Sequence, residues 1–65
     1  MKLKINGEDR EVAARTVLRL LEELGLPPLR VVVEQNGVIV PREAYPDTPV
    51  QEGDALELVR LVGGG

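Results

Sequence analysis

The sequence predicts an α+β fold, one mixed sheet of four to five strands with a single helix packed across one face. Three features of the 65 residues predict it. Residues 1–5 alternate apolar and charged, the period of a half-buried strand. Asn-Gly pairs at 6–7 and 36–37 each mark a tight turn between strands. Between those turns, apolar residues from Val17 to Leu24 recur at helical spacing.

The elements follow in order. Met1, Leu3 and Ile5 form the inward side of the first strand, with Lys2 and Lys4 outward. A second strand is expected from Glu8 to Val12; its polar pattern suits an edge, where charge discourages unwanted pairing. Thr16 is placed to cap the helix, its hydroxyl accepting from a free N–H one turn in. Val17, Leu20, Leu21 and Leu24 share one helical face, Leu18 widens it, and Arg19, Glu22 and Glu23 face water. Gly25 is expected just past the helix in the left-handed region, and Pro27 and Pro28 prevent its resumption. So short a helix is unstable alone in water and must lie across a sheet.

Val31 to Val33 give a third strand and Val38 to Val40 a short fourth. Pro41 to Asp54 is a loop-rich stretch with three prolines, ending in a turn at Gly53-Asp54. The last strand, from Ala55 to about Val62, runs straight into Gly63-Gly64-Gly65. A helix joining strands favours a right-handed crossover with its flanking strands parallel, and one sheet with one helix on it is the compact solution. That order of elements is the β-grasp, or ubiquitin-like, fold, with first and last strands adjacent and parallel in the centre. The expected organisation is a β-grasp domain over 1–62 and a flexible glycine tail over 63–65.

Composition narrows the function. There is no cysteine and no histidine, and the hydroxyls are limited to Thr16, Thr48 and Tyr45. The usual base near neutral pH, the soft metal ligands and a nucleophile–base pair are all missing. The chain is therefore expected not to be an enzyme and to hold no catalytic side chain, metal or cofactor. Eight basic residues are spread along a chain of net charge −3, so a nucleic-acid surface is not expected. A mildly acidic protein suits a basic patch on a protein partner. No apolar run approaches membrane-spanning length and no signal peptide opens the chain, so a cytoplasmic protein, monomeric alone, is expected.

The last strand carries the functional signal. If Leu56 and Leu58 face the core, then Val59 and Leu61 lie on the face the helix cannot cover. Exposed aliphatics beside a terminal tail suggest a docking surface, with Val59, Arg60 and Leu61 as its candidate residues, although single surface hydrophobes are also ordinary. Terminal glycines add no packing; their uses are reach and thinness. Three extended residues span about 10 Å and pass through a slot that admits only backbone. A carboxylate on Gly65 could thus enter a partner's nucleotide site, be adenylated by ATP, and accept sulfur from a persulfide as a thiocarboxylate. None of this needs a side chain of the carrier. A frayed terminus is the alternative, and it is the adjoining β-grasp pattern that favours the tail.

The chain resembles the ThiS family, the sulfur carriers of thiamine biosynthesis, over essentially its whole length. The resemblance is carried by Val38-Ile39-Val40-Pro41-Arg42-Glu43, by Val50-Gln51-Glu52-Gly53-Asp54, by Thr16-Val17 with the leucine-rich helix, and by the diglycine end. It implies adenylation of Gly65 by a ubiquitin-activating-type adenylating enzyme with ATP. Sulfur would come from a cysteine desulfurase or rhodanese-type donor, with delivery to thiazole synthase. Gly64 and Gly65 match the family diglycine, while Gly63 is a further glycine where the family usually has another small or aliphatic residue. Tyr45 falls where the family often has an aromatic and is read as a cap over the core edge; Arg42 is read as a structural or rim residue. The small subunit of molybdopterin synthase is a rival, disfavoured because Arg60-Leu61-Val62 precedes the glycines without proline. A carrier for tRNA thiolation, and a ubiquitin-like modifier or binding module, remain alternatives.

Overall fold

The computed structural model describes residues 1–62; the tail expected at 63–65 lies outside the described residues. Five strands and one helix are present: β1 (Lys2–Ile5), β2 (Glu8–Glu11), α1 (Val17–Glu23), β3 (Val31–Gln35), β4 (Val38–Val40) and β5 (Ala55–Arg60). They form one sheet in the order β2-β1-β5-β3-β4. β1 and β5 run parallel, while β1–β2, β3–β5 and β3–β4 are antiparallel, which is the expected β-grasp topology.

Both hairpins turn where the Asn-Gly pairs stand. Asn6 and Asn36 have φ 51°, and Gly7 and Gly37 have φ 83° and 85°. Positive φ at both central residues matches the twist of the flanking strands, and asparagine and glycine reach it at least cost. The helix is capped as expected: Thr16 Oγ1 accepts from Arg19 N at 3.2 Å, and Gly25 takes φ 74°. Glu23 adds a clamp that was not expected, its carboxylate accepting from the N–H groups of Ala13 and Ala14.

The core lies between α1 and one side of the sheet. Val17, Leu20 and Leu21 pack on Leu3, Ile5, Val31, Val33, Leu56 and Leu58, all buried; Leu18 and Leu24 are half-buried at its margin. Burying an aliphatic side chain is worth about 1.5–3 kcal/mol, and such burial is the main source of stability in a domain without disulfides.

Boundaries differ from expectation in several places, among them β3, which runs on from the expected Val33 to Gln35. β2 ends at Glu11, although Val12 N still donates to Met1 O at 2.8 Å. β5 ends at Arg60 rather than near Val62 because β3, its partner, begins opposite at Val31. The stretch from Pro41 to Asp54 contains a 3-10 helix over Arg42–Asp47, and another 3-10 turn spans Pro28–Arg30. Prolines fix φ and remove N–H donors, which a short 3-10 segment tolerates. Tyr45 anchors the longer one: it is 2% exposed, and its hydroxyl donates to Val31 O at 2.6 Å. Arg42 serves structure too, its Nε donating to Pro28 O at 3.2 Å.

Asp54 ties this segment to the sheet. One oxygen accepts from Asn36 Nδ2 at 3.1 Å, and the other from Gln35 Nε2 at 3.0 Å and Gln51 N at 2.9 Å. Burial pushes its carboxyl up, but the donors from Asn36, Gln51 and Gln35 together outweigh that and hold it below the usual value.

Two stability measurements follow. Tyr45→Phe leaves a buried carbonyl short of a donor and should lower unfolding stability by about 1–2 kcal/mol in urea denaturation. For Asp54 the folded pKa is the depressed one, so its contribution is complete above the unfolded value of about 3.9 and is lost as pH falls through the folded value. Asp54→Asn should therefore lower the urea midpoint at pH 7 and flatten its decline at acid pH; equal slopes below pH ~4 in the two proteins would refute this linkage.

Candidate functional site

β5 is the last strand of the described residues, and it is held on both sides. β3 pairs with it from Val31 opposite Arg60 to Gln35 opposite Leu56. β1 pairs only through Lys4 opposite Ala55 and Ile5 opposite Leu56 before the chain turns away. The Asn6 side chain then takes over the ladder: its Oδ1 accepts from Leu58 N at 2.7 Å and its Nδ2 donates to Leu58 O at 3.2 Å. Leu61 N donates to Arg30 O at 2.7 Å, so the backbone is held as far as Leu61, while Val62 is 82% exposed. The expected tail residues Gly63, Gly64 and Gly65 come next in the sequence, outside the described residues.

Because α1 covers Leu56 and Leu58, the opposite side of the sheet is open. Val59 there stands opposite Val32 and is 56% exposed. Glu57 stands opposite Glu34, and Glu34 in turn opposite Ile39, which is 63% exposed. The open face thus presents aliphatic positions around two carboxylates on neighbouring strands. Like charges directly opposite cost stability, so nothing in folding favours that pair.

The three candidate docking residues do not form one patch. Val59 lies on the open face. Arg60 is in register with buried Val31 on the helix side and lines a cleft there. Leu61, 48% exposed, sits just beyond the strand and shares a second cleft with Arg60, Arg30, Pro27 and Val62. Sequence reasoning missed Asn6, whose turn role concealed its grip on β5, and Arg30, whose carbonyl fixes Leu61.

Among the described residues no group of three or more acidic side chains is placed to hold a metal ion, and the sequence has no cysteine or histidine. Nor is any helix of the described residues long and apolar enough to cross a membrane.

The chain was compared with known proteins. The sequence model of the ThiS family matches residues 3–65. The chain is 35% identical to the sulfur carrier protein ThiS of Escherichia coli, with the whole of each chain covered. It is 50% identical to part of a thiazole synthase of Paramagnetospirillum magneticum, over all of this chain but only 20% of that relative's length. The crystal structure of the thiamine biosynthesis protein ThiS from Geobacter metallireducens superposes with a TM-score of 0.85 at 38% identity, covering all of both chains.

The face assignment can be checked by stability alone. Val59→Asp and Leu61→Asp should each cost about 1 kcal/mol or less, as exposed substitutions do, whereas Leu58→Asp on the covered side should unfold the domain. Comparable loss in all three would show the faces of β5 to be misassigned.

Proposed function

Because the chain belongs to the ThiS family, we propose that it is the sulfur carrier of thiamine biosynthesis and that its working group is the α-carboxylate of Gly65. It acts in the cytoplasm as a carrier and not as an enzyme. The domain over 1–62 presents Gly63, Gly64 and Gly65 to its partners. The observation that carries the reading is positional: the family match runs through Gly65, and the central strand of the sheet ends five residues before it.

The chemistry falls to the partners. In an adenylating enzyme, a carboxylate oxygen of Gly65 attacks the α-phosphorus of ATP and pyrophosphate leaves. The acyl-adenylate so formed is open to a persulfide sulfur, which adds at the carbonyl and expels AMP. A second thiol cleaves the resulting acyl disulfide, leaving the thiocarboxylate on Gly65 and a disulfide on the donor side. A cysteine desulfurase or rhodanese-type protein supplies the persulfide, and thiazole synthase takes the sulfur. The Paramagnetospirillum relative supports that last partner, since a stretch half identical to this chain lies inside a protein named for thiazole synthesis. A side chain on any tail residue would widen the backbone, which is the physical reason for glycine there. Val59 on the open face, with Leu61 and Arg60 at the strand's end, contributes docking area outside the slot.

The test is chemical. Incubated with adenylating enzyme, ATP and a persulfide donor, the chain ending at Gly65 should exchange one terminal oxygen for sulfur in intact-mass analysis. The same chain with one residue added after Gly65 should remain unmodified, with an unchanged unfolding midpoint. Conversion of the extended chain without trimming would overturn the assignment. Loss of the gene should impose a requirement for the thiazole precursor; a tRNA thiolation defect alone would point instead to that pathway.

A further inference from the structure

Arg10, Arg30 and Arg60 are far apart in sequence; Arg30 and Arg60 stand where the chain leaves the sheet, and Arg10 on β2 lines the same cleft as Arg60. Arg10 is in register with buried Leu3, and Arg60 with buried Val31, so both stand on the helix side. They line one cleft of about 290 Å³ whose walls include Ile5, Leu24, Leu26 and Leu58. Arg60 and Arg30 line the adjoining cleft beside Leu61 and Val62. Arg42 brings a fourth guanidinium against the same 3-10 turn through its bond to Pro28 O.

Among the described residues the three arginines have no ion-pair partner. The ion pairs among the described residues are Met1 with Glu11, Lys4 with Asp9 and Arg19 with Glu22, and none takes Arg10, Arg30 or Arg60. Their side chains make no hydrogen bond among those residues either. Gathering unpaired cations on a chain of net charge −3 is not a requirement of the fold. Guanidinium groups at the rim of an aliphatic concavity suit carboxylates carried on an apolar protein surface, since they pair with them bidentately and shed water readily. The other side of the sheet carries Glu34 and Glu57 face to face on β3 and β5, with Lys2 and Lys4 on β1 beyond them.

We propose that the arginine-rimmed clefts on the helix side dock an acidic, aliphatic surface of the protein that receives the tail. The inference rests on the carrier reading and names the chemistry of its partner's surface. With the arginine clefts on one side of β5 and the Glu34–Glu57 pair on the other, a carrier rotated half a turn about its tail turns its carboxylate pair, not its guanidinium groups, toward an acidic partner surface. The clefts therefore fix the rotational setting in which Gly65 enters a partner's slot.

The experiment measures association of the full chain with the adenylating enzyme and with thiazole synthase from the same organism. Arg10→Glu and Arg60→Glu should each lower the association rate about tenfold or more with at least one enzyme, and flatten its salt dependence. Arg10→Gln and Arg60→Gln should lose less, in the same order. Arg15→Glu, which changes net charge equally but lies away from these clefts, should stay within about twofold. Reversal variants that bind both enzymes as the wild type does, or that lose no more than Arg15→Glu, overturn the inference while leaving the carrier reading intact. A wild-type chain that associates with neither enzyme overturns both. Arg10-dependent binding of free AMP or ATP to the carrier alone would show a small-anion site and also sink the proposal.

Discussion

The parallel pairing of β1 with β5 is the constraint on which the rest of the molecule depends. A parallel neighbour cannot be reached by a tight turn, so everything between Gly7 and Asp54 is in effect one long crossover. That crossover must include the second edge strand, the covering helix and the β3–β4 hairpin, or the core stays open. Only two residue pairs make the parallel ladder itself. The Asn6 carboxamide extends it by bonding both backbone groups of Leu58, so that β5 is gripped from the β1 side well beyond the end of β1. A terminal strand in the middle of a sheet is the most firmly held kind. That firmness fixes where the chain leaves the sheet, at Leu61.

A domain this small has little stability to spare, and its sequence shows where that is concentrated. Fully buried aliphatics under α1 supply most of it. The segment from Pro41 to Asp54 has little apolar content of its own and is instead tethered. Tyr45 reaches through the core to the Val31 carbonyl, and Asp54 collects donors from Asn36, Gln35 and Gln51. Both tethers end on β3 or the turn after it, the hairpin that flanks β5. The Tyr45 tether ends on Val31, which stands opposite Arg60 at the end of β5.

Much of this was legible in the sequence because the signals were local. Asn-Gly demands a particular backbone geometry, Thr16 and Gly25 bracket a helix by the needs of its unpaired groups, and the alternation in β1 assigns faces directly. The 3-10 helix at Arg42–Asp47 was not legible, since its prolines fit an irregular loop equally well. What decides between them is the reach of Tyr45 to a carbonyl fourteen positions away. The division of Val59 from Arg60 followed from alternation alone, although the sequence reading grouped Arg60 with Val59 and Leu61 as one docking surface. That Arg10, Arg30 and Arg60 line adjoining clefts had no local signal at all, as it depends on the register of β2, β1, β5 and β3.

The two sides of the sheet answer different physical demands. Folding requires one side to be apolar and covered, and α1 meets that demand fully. Nothing in folding dictates what the open side or the rim of the covered one should carry. There the chain departs from what stability alone would favour: exposed Val59 and Ile39, Glu34 facing Glu57, and three arginines without partners among the described residues. These departures lie on both sides of the strand that leads to the glycines. Positions that folding leaves free are the ones on which selection for function can act. Surface features that cost stability and cluster around the exit are the form such selection takes.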